Sequence, residues 1–339
     1  MSKRLVWADL LRILAIYLVI VVHSTQLQGQ LNLKLISVFI SFAIAKTCVP
    51  LFFMLSGALL LSKNEKPSSF YKKRLFRIFY PWFFWTIVFF IFLKFSLNPQ
   101  TFSQYIDILK TSFRVFWFIP IIGILYLVTP TLRTFLHHAS SMDLKLIISL
   151  WYLIIFLIPY FHNTLAFPLV VDNSILRQVI NFSGYYLLGY SLIRLNYTKK
   201  QQHGLIIMAI GILWSVIGAI TTSISAKSIQ IYYFDYLSPS TVLLSIGIFI
   251  TVYIYAPKLG KKLSKDQKSF LSLVSSATLG IYFLETLHVQ IFEKLNINFQ
   301  LFHLHPFING YINAFVIFTF CLTIILLLQK IKILKKFVS

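Results

Sequence analysis

The sequence predicts an all-α fold: a polytopic integral membrane protein with about ten transmembrane helices and both termini in the cytoplasm. Three observations carry this expectation. Of 339 residues, 58% are apolar and only 12% charged, with a mean hydropathy of +0.79. A soluble domain carries about a quarter charged residues, so its polar coat is missing here. The apolar residues also fall into runs of the ~20 that a helix needs to cross ~30 Å of hydrocarbon. Finally, the basic residues favour alternate connecting segments, as membrane orientation requires.

Taken in order, the spans are read at about 5–25, 36–62, 78–98, 115–135, 146–162, 176–195, 204–224, 239–256, 270–293 and 309–330. Lys3 and Arg4 precede the first run, which contains Arg12 and ends at Ser24 without a small-residue cleavage pattern. It is therefore read as a retained helix rather than a signal peptide. The even count places both termini on one side. With the N-terminus cytoplasmic, 22 of the 31 Lys and Arg residues fall in inner segments and seven in outer ones, while Arg12 and Lys46 lie inside spans. Basic residues in cytoplasmic segments face anionic lipid heads. The net charge of +22 thus calls for membrane lipids as partners and for no nucleic acid.

The connecting stretches reach only about 15 residues, so residues 1–339 read as a single transmembrane domain. There is no Walker-type loop and no Rossmann fingerprint, which argues against ATP-driven or dinucleotide chemistry. Cys48 and Cys321 both sit in apolar runs and imply no disulfide framework.

Ionisable residues inside spans are costly and mark function. In the first helix Arg12 and His23 are eleven residues apart, about 20° past three full turns, so they share a face and lie roughly 16 Å apart along the axis. Asp9, three residues before Arg12, is placed to pair with its guanidinium. The polar stripe runs from the cytoplasmic surface past mid-membrane. At its far end His23 is placed to act as a general base on a hydroxyl, since an imidazole titrates near neutrality.

A second cluster is Lys72-Lys73-Arg74-Leu75-Phe76-Arg77, followed by Tyr80-Pro81. Arg74 and Arg77 project to one side of a helical turn, where paired guanidiniums bind phosphate, although lysines at this place also anchor topology. Ser56-Gly57 offers a small surface for close approach of another helix or a ligand. Glu285 and His288, at i and i+3 in the ninth span, read as a polar cavity wall or a proton relay. His137-His138 and the loop pair His303 and His305 are weak metal signals, because no carboxylate or thiol stands near them. No metal is expected.

These residues resemble a known family. Asp9-x-x-Arg12-x10-His23 is similar to the first-helix signature of the membrane acyltransferase 3 family. Pro50-Leu51-Phe52-Phe53-Met54-Leu55-Ser56-Gly57 resembles its second-helix motif, and Arg74-x-x-Arg77 with Pro81 its basic motif. Trp117-Phe118-Ile119 with Tyr126 and Pro130, then Gly184-Tyr185-Tyr186-Leu187-Leu188-Gly189-Tyr190, then Gly280-Ile281-Tyr282, complete the order. The resemblance implies an enzyme of the cell membrane that moves an acyl group, expected to be acetyl, from cytoplasmic acyl-CoA to a carbohydrate or glycolipid acceptor. It makes His23 the catalytic base, and gives Arg12 support of the histidine or of the donor. Asp9 and Glu285 join them as catalytic candidates, and Arg74, Arg77, Ser56 and Tyr126 are the donor-binding candidates. One departure stands out: many relatives carry His shortly after Gly-Ile-Tyr, where this chain has Glu285 with His288 a turn later. The alternative reading is a transporter or exporter of a glycan or small molecule, the same charges lining a path. Against it, the two halves show no clear similarity, and the buried charges concentrate in spans one to three and nine.

Overall fold

The computed structural model describes residues 5–25, 33–165, 175–197, 201–294 and 305–338. The described residues are helical, with no strand among them. Eight helical segments are long and apolar enough to cross a membrane. The helix α1 (Val6–Ser24) is the central element; α2 (Leu33–Ala45), α3 (Cys48–Leu60), α10 (Pro239–Lys262), α11 (Lys265–Lys294) and α12 (Pro306–Lys330) all contact it. Leu11, Ala15, Ile16 and the run Leu18–Val21 are buried by this surround, as expected of a helix apolar everywhere but along the Asp9–Arg12–His23 stripe.

The second predicted span is two helices. Pro50 carries no N–H, so the carbonyl of Lys46 loses its α-helical partner, and the proline ring crowds that same carbonyl. The chain breaks at Lys46-Thr47, where the Thr47 hydroxyl donates to the Ile44 carbonyl at 2.7 Å. The third span begins earlier than its apolar run. The helix α4 (Pro67–Leu97) starts on Pro67 and carries the whole basic cluster as helix.

Between α4 and α6 (Phe118–His138) the connection is itself a helix, α5 (Phe102–Val115), closed at its start by a Thr101–Gln104 capping box. The sequence predicts only a connecting segment here, because its apolar and charged residues alternate too closely for a span. The helices α7 (Ser141–Leu165) and α8 (Ile175–Arg194) occupy the fifth and sixth predicted spans. Arg177, Gln178, Asn181 and Arg194 leave α8 less apolar than the eight. The helix α9 (Gln201–Ala226) lies closely against α10: a Cβ at Gly247 would fall 2.7 Å from the Met208 Cα, and one at Gly211 2.7 Å from the Leu244 nitrogen. Small residues at such crossings let backbones approach. The short helix α13 (Lys335–Val338) tucks back onto α4, with the Trp85 indole donating to the Phe337 carbonyl at 3.0 Å.

Candidate active site

The long separation between Arg12 and His23 becomes one wall of a single cavity of about 430 Å³. Its floor and sides come from α1, α3, α4, α6 and α11, with Tyr236 closing one side. Six of the eight residues singled out from the sequence line it: Arg12, His23, Ser56, Arg74, Arg77 and Tyr126. The other two stand directly behind lining residues. Asp9, buried, lies 3.5 Å from the Arg12 guanidinium, which also donates to the Ser275 hydroxyl at 2.8 Å. Glu285, with 0% of its surface exposed, meets His23 Nδ1 at 2.5 Å through Oε1.

That last contact changes the reading of the ninth span. The carboxylate expected to work with His288, one turn along its own helix, makes a hydrogen bond across the fold to His23 of α1. A carboxylate on Nδ1 fixes the ring and its tautomer, leaving Nε2 to exchange a proton with a substrate. Glu285 Oε2 is buried and has no hydrogen-bond partner among the described residues. A buried carboxylate is expensive unless paired, so the imidazole is what makes its burial tolerable.

The two ends of the cavity differ in charge. His23 shares one end with Cys48, Phe52, Trp117, Tyr236 and Tyr282. At the other end Lys63 joins Arg74 and Arg77. Arg74 Nε is buried without a hydrogen-bond partner among the described residues. No carboxylate is among the described residues that line the cavity. The Lys63 ammonium is held below the ordinary lysine value, first by burial and then by the Arg74 charge. Such an end suits a ligand with several phosphate oxygens.

Lys63, counted from the sequence only as a topology charge, thus belongs to the site. Its loop is tied down by Arg133, likewise counted only for topology. From α6 the Arg133 guanidinium donates to the Leu60 carbonyl at 2.9 Å and to Glu65 at 3.3 Å, and stacks on the Phe70 ring at 4.5 Å. One buried side chain therefore clamps the end of α3, the loop carrying Lys63 and the start of α4. A basic residue inside a predicted span boundary was the only signal the sequence offered.

Ser56 and Gly57 divide the two uses expected of them. Ser56 lines the cavity, while Gly57 meets the Tyr186 backbone of α8 and Gly189 meets the Met54 backbone of α3. His137 and His138 are exposed at the end of α6, and His303 lies outside the described residues. No group of three or more His, Cys, Asp or Glu among the described residues is placed to hold a metal ion.

Against this geometry stand the comparisons with known proteins. A family model described as an acyltransferase domain matches residues 5–329, nearly the whole chain. No curated protein and no solved structure matches it.

Proposed function

We propose that this chain, which belongs to the acyltransferase 3 family and is a multi-pass membrane acyltransferase, takes an acyl group from cytoplasmic acyl-CoA, in the first instance acetyl-CoA, and delivers it to a hydroxyl of an extracytoplasmic or lipid-linked carbohydrate in the cell membrane. The family decides for a transferase over the transporter reading. The observation that carries the finer proposal is one cavity with a carboxylate-held histidine at one end and three basic side chains, Lys63, Arg74 and Arg77, at the other.

In this reading Lys63, Arg74 and Arg77 hold the phosphates of the donor at the cytoplasmic end, with Tyr126 and Ser56 along the path of its arm. Arg12, steadied by Asp9 and Ser275, guards the middle. At the far end His23 Nε2 takes the proton of the acceptor hydroxyl. The alkoxide attacks the thioester carbonyl, and the tetrahedral intermediate expels the CoA thiolate, which receives the proton back from His23. Glu285 keeps Nδ1–H in place and stabilises the imidazolium while it exists.

The test is acetyl-CoA binding to the purified protein. Micromolar-range affinity that disappears in Arg74→Ala/Arg77→Ala supports the donor assignment, whereas a folded wild type that does not bind removes it.

A further inference from the structure

The helix α5 has three faces where a water-exposed connection needs two. At 3.6 residues per turn, Phe102, Leu109 and Phe113 fall within about 40° of one another. They are 81%, 40% and 39% exposed. About 100° to one side lie Ile108 and Ser112, its two buried residues. About 110° to the other side lie Asp107, Lys110 and Arg114, all exposed, with Lys110 3.6 Å from Asp107. One face thus meets protein, one is polar and basic, and the third is apolar and partly exposed, with only the Phe113 ring seen to rest on Trp82 of α4 among the described residues. The helix α4, on which α5 packs, carries an exposed apolar stripe of its own in Phe83, Ile87, Ile91 and Phe95.

We propose that α5 lies flat in the membrane interface, its Phe102–Leu109–Phe113 stripe dipped into the acyl region and its Lys110–Arg114 edge on anionic phospholipid headgroups. A helix of 14 residues is too short to span. An apolar stripe with a basic edge is the composition that binds an anionic surface from the side. Charge complementarity therefore names the occupant of the face as lipid. The placement has a consequence for the site, because α5 runs directly into Val115 and Trp117, which line the cavity at the His23 end. The mouth at that end is held at headgroup depth. This inference rests on the shape of α5 and stands apart from the chemistry proposed above.

The experiment is site-directed spin labelling of the full chain in phosphatidylethanolamine/phosphatidylglycerol vesicles. Labels are placed by Phe102→Cys, Leu109→Cys and Phe113→Cys, and on the polar face by Ser103→Cys, Asp107→Cys and Lys110→Cys. The native Cys48 and Cys321 are both buried. The first three labels should collide with oxygen and exclude a nickel chelate, and the second three should do the reverse. Lys110→Glu/Arg114→Glu should move the Leu109 label outward in phosphatidylglycerol vesicles and leave it in place in phosphatidylcholine. Six labels equally open to the chelate would put α5 in water and overturn the proposal. Apolar-face labels closed to both reagents would mean that protein, such as a second copy of the chain, covers the face. A depth indifferent to charge reversal in both vesicle types would overturn the anionic headgroup contact.

Discussion

His23 and Glu285 are 262 residues apart in the chain and 2.5 Å apart in the fold. Glu285→Gln keeps the shape of the side chain but removes the charge that holds the imidazolium. The account predicts a fall in kcat of about 10²–10⁴-fold, with the KM for donor and the melting temperature little changed. Steady-state kinetics beside thermal unfolding would check this. At the other end, Lys63 gives a pH signature. Only its protonated form attracts phosphate, and burial together with the Arg74 charge holds its value below that of a free lysine. Donor affinity should be full below that lowered value and fall as pH rises through it, earlier than an ordinary lysine would impose. Lys63→Arg, always charged, should flatten the fall when acetyl-CoA binding is titrated across the neutral to alkaline range.

The elements were legible to different depths. The spacing of Arg12 and His23 on one helix follows from period alone, and both do line the cavity. The same arithmetic put Arg74 and Arg77 on one side of α4. What crosses between helices was hidden. Nothing near Glu285 in the sequence names His23, so the nearer His288 looked like its partner. Lys63 and Arg133 carry a charge that orientation already explained, and their work at the cavity mouth shows only once α3, α4 and α6 are packed. The helix α5 escaped because span-finding reads apolar runs, and a three-faced helix has none.

At the crossing of α3 and α8 the glycines matter through what they lack. A Cβ at Gly57 would collide with the Tyr186 carbonyl, and one at Gly189 with the Met54 backbone, and backbone cannot swing aside as a side chain can. Gly57→Ala should therefore cost about 1–3 kcal/mol, read as a lowered melting temperature in detergent. Ser56→Ala, one residue earlier on the cavity wall, should leave stability nearly unchanged.

For the whole molecule, the proposed function puts two jobs along one cavity. Lys63, Arg74 and Arg77 sit at the end reached from the segment between α3 and α4, and His23, the proposed base, sits at the end where α5 enters. With the basic end cytoplasmic, a cysteine replacing Lys73 should react with a membrane-impermeant maleimide from the inner side only, and one replacing Gln104 from the outer side only. Labelling of inside-out and right-side-out vesicles checks both, and equal labelling from either side would undo the assigned orientation. Composition and charge alternation made the fold class readable. The shared cavity was not readable, because it depends on how α1 is enclosed by helices from both halves of the chain.

The central claim is that donor capture and acyl transfer occur in this one cavity on different residues. The direct measurement is acetyl transfer in proteoliposomes by wild type and His23→Ala, with acetyl-CoA binding measured on the same preparations. The account predicts that His23→Ala binds the donor as wild type does and transfers nothing above background. Transfer that persists in His23→Ala would contradict it.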